Sequence, residues 1–316
     1  MPDPDQNGAD EFGEIARLFR PLTGGAPGAF DLLDDAAVIP QRPGFDLVVT
    51  KDAIVEGVHF PAGERPDLIA RKLMRVNLSD LAAKGAEPFG CFLAVAWPRS
   101  FEPADRATFA RGLGEDLKAF GVDLLGGDTV STPGPFTASL TALGWVPEGR
   151  MIRRAGARPG DCVAVSGTIG DGALGLAAAK GEIHDPWLAD RYRLPTPRLD
   201  LRDALANAAH AAADVSDGLV ADAGHIALAS GVAMTLDLER LPLSPRARAW
   251  LDLQSDRPAA LIRLATGGDD YEIVAVFAGP PPEGFRAIGA ISAGAGVIVR
   301  IDGREIEVAK RGWRHL

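Results

Sequence analysis

The sequence predicts an α+β fold in two domains, and three observations lead there. Strand-like apolar runs and helix-period patterns mix without the strict alternation of a doubly wound sheet. At 316 residues the chain is longer than a usual single domain. A basic, turn-rich stretch, PEGRMIRRAGARPGD at 147–161, separates two halves of similar size and similarly mixed α/β content. The expected division is a loose tail over 1–10, an N-terminal domain over 11–148 and a C-terminal domain over 149–316.

The elements follow in chain order. EIARLFRPL reads as a short helix, and apolar runs at 45–50, 89–96 and 136–146 read as strands. Helical patterns cover Pro66 to Lys84 and Pro103 to Phe120, each stopped by a glycine, Gly85 and Gly121. The second half restarts with a strand in DCVAVSG and a helix from Ala173 to Lys180. HDPWLADRYRLPTPRLD, at 184–200, is too rich in proline and charge to read as a core element. A helix near 217–229, strands near 232–238 and 272–278, and the strand-rich AGVIVRIDGREIEV complete the chain.

Composition narrows the function. Hydrophobic residues make up 47% and charged residues 24%, the balance of a soluble globular protein. No apolar run reaches the length of a membrane span, and MPDPDQNGAD is too acidic for a leader. Cys91 and Cys162 sit far apart in apolar surroundings and read as buried reduced thiols, which suits the cytoplasm. The net charge of −10 argues against nucleic acid and against an anionic membrane as partners.

The informative signal is a set of aspartates in costly places. Ile69, Leu73, Val76 and Ala83 form the apolar stripe of the first long helix, and Asp80 falls on it. A buried carboxylate survives only if it is paired, hydrogen-bonded or bound to a cation. An ion pair with Lys84, or a helix rolled to expose Asp80, is the plain alternative. Asp34 and Asp35 end an apolar run in FDLLDDAAVI, and Asp52 ends the strand of FDLVVTKD. Asp128 follows two glycines at a strand end in VDLLGGDTV, and Asp214 and Asp217 flank Ser216 where a helix begins. Each alone is explained by the turn-forming and capping habits of aspartate. Together, without cysteine or histidine pairs beside them, they suit hard cations, magnesium above all, and hence phosphate chemistry.

The nucleotide-binding motifs are mostly absent. No Gly-Lys pair occurs, which excludes a P-loop. Gly170, Gly172 and Gly175 satisfy G-x-G-x-x-G between a strand and a helix, but no second strand ending in an acid follows. They read as a glycine-rich helix start, suited to anion binding or tight packing. In an acidic chain the positive field for ATP phosphates has to come from metal ions held by carboxylates.

In chain order the motifs EFGEIARLF, LLDDAAVI, TKDAIVEGVHF, NLSDLAAKGA, LLGGDTV, GARPGD, SGTIGDGALGL, DVSDGL, GGDDYE and GWRHL run from residue 11 to the C-terminus. The set resembles the thiamine-monophosphate kinases of the aminoimidazole ribonucleotide synthetase superfamily. The resemblance implies that superfamily's two-domain fold, a homodimer pairing the sheets of its N-terminal domains, and an active site in the cleft between the domains. It implies ATP-dependent phosphorylation of thiamine phosphate to thiamine diphosphate. Carried over residue by residue, Asp35, Thr50, Asp52, Asp80, Asp128, Asp214 and Asp217 match magnesium contacts. Gly127, Asp128, Arg154 and Ser216 match nucleotide contacts, and His59, Asp269 and Trp313 match substrate contacts. Asp35, Asp52, Asp80, Asp128 and Arg154 are then the residues expected to carry catalysis. The N-terminal domain is expected to bind ATP and magnesium and to dimerise.

Two departures stand out. Lys51 replaces the hydroxyl residue that relatives often carry there, and Asp269 replaces the glutamate of GGEDYE, one methylene shorter. The expected chemistry is direct in-line transfer, because a phosphate-monoester acceptor needs no strong base near neutral pH. Another ATP-using member of the superfamily, or a non-catalytic magnesium and nucleotide sensor, are the alternatives. The former is disfavoured because no extended loop marks the N-terminal half and its cysteine, Cys91, reads as a buried thiol. The latter is disfavoured because the full carboxylate set is present.

Overall fold

The computed structural model describes residues 11–313. The tail over 1–10, and the last three residues of GWRHL, lie outside the described residues. The chain divides into two compact units, one running up to Leu81 together with Glu87–Gly149, the other holding Ala82–Ala86 and everything from Arg150.

The first unit opens with a helix α1 (Glu11–Glu14) that widens into a π turn, Ile15–Phe19, and tightens into 3₁₀ turns at Arg20–Thr23 and Pro27–Leu32. Next come β1 (Phe45–Val55), α2 (Pro66–Ala83), β2 (Glu87–Pro98), α3 (Pro103–Phe120), β3 (Asp123–Thr132) and β4 (Thr137–Pro147). The sheet order is β1-β4-β2-β3, with β2 and β3 parallel and the other pairs antiparallel. Helix α3 starts as the sequence suggests. Pro103 sits in its first turn, Glu102 and Asp105 exchange capping bonds, and Gly121 ends it with φ 66°.

Strand β1 is longer than the apolar run from which it was read, because alternation continues through TKDAIV. Val48 and Ile54 are buried, Thr50 and Asp52 half-buried, and Leu47, Val49, Lys51 and Ala53 exposed. The even positions face the helices and the odd ones the open side. Lys51 lies on that open side, where its ammonium bonds Thr141 Oγ1 at 3.3 Å. On the covered side Trp97 meets Phe109 and Phe136 edge-on, with centroids 5.3 and 5.6 Å away, and its Nε1 donates to Thr129 Oγ1 at 2.7 Å.

Fully buried Asp116 of α3 ties the two helices together. Arg71 Nε donates to its Oδ1 at 3.0 Å and Arg75 Nε to its Oδ2 at 2.6 Å. One acid thus satisfies two guanidinium groups one turn apart on α2.

The second unit contains β5 (Cys162–Ser166), α4 (Asp171–Ala179), α5 (Pro186–Arg193), α6 (Arg202–Ala208), β6 (Ala209–Asp214), α7 (Leu219–Ser230) and β7 (Ala233–Asp237). It continues with α8 (Pro245–Asp252), α9 (Arg257–Thr266), β8 (Ile273–Phe277), β9 (Phe285–Ser292), β10 (Gly296–Ile301) and β11 (Arg304–Ile306). Its sheet order is β11-β10-β7-β9-β5-β8-β6, in which only β10 and β7 pair in parallel. Mixed pairing in both sheets is the α+β arrangement that the sequence predicts.

Two expectations are corrected here. The segment 184–200 contains α5, whose Leu188, Ala189 and Tyr192 are buried, with Tyr192 only 1% exposed. Proline at its first helical position starts this helix rather than breaking it, and Asp185 caps it by accepting from Leu188 N at 3.2 Å. Asp128 does not end a strand either. β3 runs on to Thr132, because the residues after Gly127 keep pairing with β2.

Replacing Asp116 by alanine should cost about 3 kcal/mol, because it strands two guanidinium groups that share one buried acid. Denaturant unfolding read by circular dichroism measures this, and a loss no larger than that of an exposed Asp→Ala control contradicts it.

Candidate functional site

In the first unit the expected residues form two groups. One lies between β1 and α2. The Thr50 hydroxyl donates to Asp80 Oδ2 in a very short contact, and the Asp52 backbone N–H donates to Asn77 Oδ1 at 3.0 Å. Asp80 is half-buried, with its carboxylate on a hydroxyl oxygen donor. Asn77, which sequence reasoning missed, is fully buried and holds its own position by donating to the Leu73 carbonyl at 2.9 Å. It fixes strand to helix, so Thr50 and Asp80 meet.

The other group lines a cavity of about 480 Å³, where Asp34, Asp35, Gly127, Asp128 and Thr129 meet an apolar end that includes Phe12, Ile15 and Phe19. The Asp35 N–H donates to Asp34 Oδ1 at 2.8 Å. Gly127 is required here because a Cβ would overlap the carbonyl oxygen of Leu93 on β2. The register sets Asp128 opposite Ala94, and alternation from Thr129 puts it on the open face. His59 stands apart in the turn after β1. Its Nδ1 accepts the Val55 N–H at 3.0 Å, which leaves the proton of the neutral ring on Nε2.

In the second unit three separate segments converge. Asp269 N–H donates to the Ser216 carbonyl, and Trp313 N–H to the Asp217 carbonyl, both at 2.9 Å. Asp214, Ser216, Asp217, Asp269 and Trp313 are therefore brought together by backbone bonds, although 99 positions separate the first from the last. Trp313 is half exposed, with Lys310 Nζ 5.6 Å from its ring centroid. Arg154 is exposed on the segment before β5, where Ser230 Oγ donates to its carbonyl at 3.2 Å.

The turn between β6 and α7 is shaped by an acid that sequence reasoning missed. Asp222 Oδ2 accepts the N–H groups of Ser216, Asp217 and Gly218 at 3.1, 3.2 and 3.2 Å. Burial pushes its carboxyl up to about 7, and the Asp217 charge adds to this. The Asp217 and Gly218 N–H groups and the Arg154 charge oppose the rise. The signal in sequence is an aspartate four residues after the glycine that starts a helix, on the helix's apolar side.

The glycine-rich start of α4 also holds an acid, and the acid is internal. Gly170 N–H donates to Asp270 Oδ2 and Gly172 N–H to Asp270 Oδ1, both at 2.8 Å. Burial raises Asp270 to about 8, helped by nearby Asp171 and opposed by those two N–H groups and by Arg191. Neighbouring Glu272 is fully buried and accepts from Ser166 Oγ at 2.6 Å, Arg191 at 3.0 Å and Arg198 Nε at 2.6 Å.

Among the described residues no group of three or more histidine, cysteine, aspartate or glutamate side chains is gathered as a ready metal cage. No described helix is long and apolar enough to cross a membrane. Both cysteines are free. Cys91 is buried and its thiol is pushed up to about 12, by burial first and by Asp123 second. Cys162, expected to be buried, is only partly so; it stands at the first position of β5, whose other four residues are all buried.

Two mixed sheets, each fringed with aspartates, define a class. Residues 33–146 match the N-terminal domain, and 158–279 the C-terminal domain, of the AIR synthase related proteins. A thiamine-monophosphate kinase of Caulobacter vibrioides is 56% identical over 96% of this chain and 90% of its own length. A solved thiamine-monophosphate kinase of Stenotrophomonas maltophilia is 38% identical with TM-score 0.77, covering 87% of this chain and 91% of its own. AaThiL, solved in complex with AMPPCP and TMP, is 30% identical with TM-score 0.79 and covers 100% of this chain and 99% of its own. The chain belongs to the thiamine-monophosphate kinase family, whose named members are phosphotransferases.

Gly127→Ala should displace β3 from β2 and lower stability by about 2 kcal/mol, in the range of other overpacking changes. Thermal unfolding checks it, and an unchanged midpoint contradicts the close approach. Asp270 has its own pH signature. The folded chain keeps the Asp270 proton up to about pH 8, whereas the unfolded chain releases it near 3.8. The folded state therefore holds more protons in that window, so this stability is complete below about pH 4 and lost as pH rises through about 8. Asp270→Asn should flatten that part of the stability profile, measured by unfolding midpoints across the window.

Proposed function

We propose that the protein transfers the γ-phosphoryl group of ATP to thiamine phosphate, giving thiamine diphosphate and ADP, with magnesium bound by its aspartates. The observation that carries this reading is AaThiL, a kinase relative spanning the whole chain and bound to AMPPCP and TMP. The cavity that joins Asp35, Gly127 and Asp128 supports the phosphate end of the reading.

The donor set fits magnesium. Thr50 and Asp80 already bring a hydroxyl and a carboxylate oxygen into contact, and the other candidates offer only hard carboxylate oxygens. In this reading Asp35, Thr50, Asp52, Asp80, Asp128, Asp214 and Asp217 hold the ions. When bound, magnesium supplies the positive charge that neutralises phosphate oxygens in a chain of net charge −10.

The protein's own residues do the rest. Gly127, exposed where β3 lines the cavity, offers its backbone to the phosphate chain. Arg154 adds a guanidinium for the phosphates, and Ser216, at a turn rich in N–H groups, a further nucleotide contact. His59 Nε2–H is a donor suited to a phosphate oxygen, while Asp269 and Trp313 meet the substrate. Thiamine phosphate is a monoester whose second ionisation lies near pH 6, so its oxygen is already anionic at neutral pH. That oxygen forms the new bond to the γ-phosphorus as the bond to the β–γ bridging oxygen breaks, and ADP leaves with the electron pair. No proton abstraction and no covalent enzyme intermediate is needed.

In the same reading the enzyme is cytoplasmic and works as a homodimer through the N-terminal sheet. The open sheet face supports the pairing, since Leu47, Val49 and Val130 are all exposed on it.

The test is magnesium-dependent formation of ADP and thiamine diphosphate, with the products identified by mass spectrometry. Chelation should abolish turnover, and Asp80→Asn should lower kcat by about a hundredfold or more while the circular dichroism spectrum stays unchanged. ADP release with another acceptor and none with thiamine phosphate overturns the substrate. Full activity in Asp80→Asn overturns the metal assignment.

A further inference from the structure

Asp270 is completely buried, and the chemistry above gives it no role. Both oxygens of its carboxyl group are committed to the first turn of α4, one to Gly170 N–H and one to Gly172 N–H, at 2.8 Å each. Its carbonyl accepts from Arg191 Nη2 at 2.8 Å, and the same nitrogen reaches Glu272 Oε1 at 3.0 Å.

The residues on either side are strained. Asp269 has φ 67° and Tyr271 φ 50°, the left-handed region that side chains with a Cβ avoid. Such a conformation persists where its surroundings over-determine it, and strain of this kind clusters at ligand-binding sites. Here the surroundings are explicit. Asp269 N–H is held by the Ser216 carbonyl at 2.9 Å and Tyr271 N–H by the Val215 carbonyl at 2.8 Å. From the other side Gly172 abuts the Asp269 carbonyl so closely that a Cβ would overlap it. Between these two walls Asp270 is the only side chain of the 269–271 turn that is fully buried.

We propose that Asp270 is a positioning residue for the acceptor substrate. By seating the start of α4 on its two side-chain oxygens, it holds Asp269 in the left-handed conformation beside Ser216 and Asp217. The proposal rests on the reading of Asp269 as a thiamine phosphate contact.

Asp270→Asn keeps the shape but turns one acceptor into an NH₂ group that faces an N–H donor, so one of the two bonds is lost. The expected result is a KM for thiamine phosphate raised about tenfold with the KM for ATP within about twofold. In an Asp269→Ala background the same substitution should add less than about twofold, because the residue it acts through is gone. Both KM values rising alike, or the full tenfold effect persisting in the Asp269→Ala background, overturns the proposal. Should Asp270→Asn fail to fold, Arg191→Lys keeps the charge but loses the guanidinium Nη2 that joins the Asp270 carbonyl to Glu272. It should raise the KM for thiamine phosphate about threefold and selectively, and an unselective change overturns the proposal equally. Wild-type turnover of thiamine phosphate is measured first. Its absence sinks the functional reading, whereas unselective variants with an active wild type sink only the positioning role.

Discussion

Three consecutive N–H groups closing on Asp222 Oδ2 are the constraint on which the second unit's site depends. They turn the chain sharply between β6 and α7, so the carbonyls of Ser216 and Asp217 are presented outward as acceptors. Those two carbonyls then take the backbone N–H groups of Asp269 and Trp313. A single interior acid thereby gathers residues distant in the chain. The cost is a carboxyl forced to ionise less readily, a common consequence of removing an acid from water.

The aspartates divide by what they hold. Asp116, Asp222 and Asp270 are buried and spend their oxygens on guanidinium or backbone N–H groups. Asp35 and Asp128 are exposed at the cavity, and Asp52 and Asp80 are half-buried beside hydroxyl and amide groups. The first set organises backbone. The second is the set that, in the proposed function, holds the cations a strongly acidic chain needs if it is to bind polyphosphate. A count of acidic residues does not distinguish these sets; their partners do.

Much of this was legible in the sequence. The long helices α2 and α3 announced themselves by period and by terminal glycines, and the mixed order of elements gave the α+β class. Asp80 was found because an acid on an apolar stripe is conspicuous. What stayed hidden depended on partners remote in the chain. Tyr192 is buried in a segment that reads as loop, because only the surroundings of α4 reveal its apolar side. Asp222 and Asp270 were overlooked for the same reason: an acid that answers distant backbone N–H groups leaves no local pattern. The G-x-G-x-x-G run shows the converse. Its local pattern was right for an acceptor of helix-start N–H groups, and the acceptor proved to be Asp270 of the same chain.

The left-handed turn at Asp269 also bears on the departure from the usual GGEDYE motif. Aspartate enters that region of backbone space more easily than glutamate, because its short side chain bonds the local backbone and loses less freedom there. The shorter acid thus exchanges a methylene of reach for a lighter conformational load at the same position. Relatives with glutamate carry the opposite balance. In the proposed function, where this residue meets the substrate, swapping the two between such enzymes moves stability and substrate grip in opposite directions, so natural variation here need not track preference for a different acceptor.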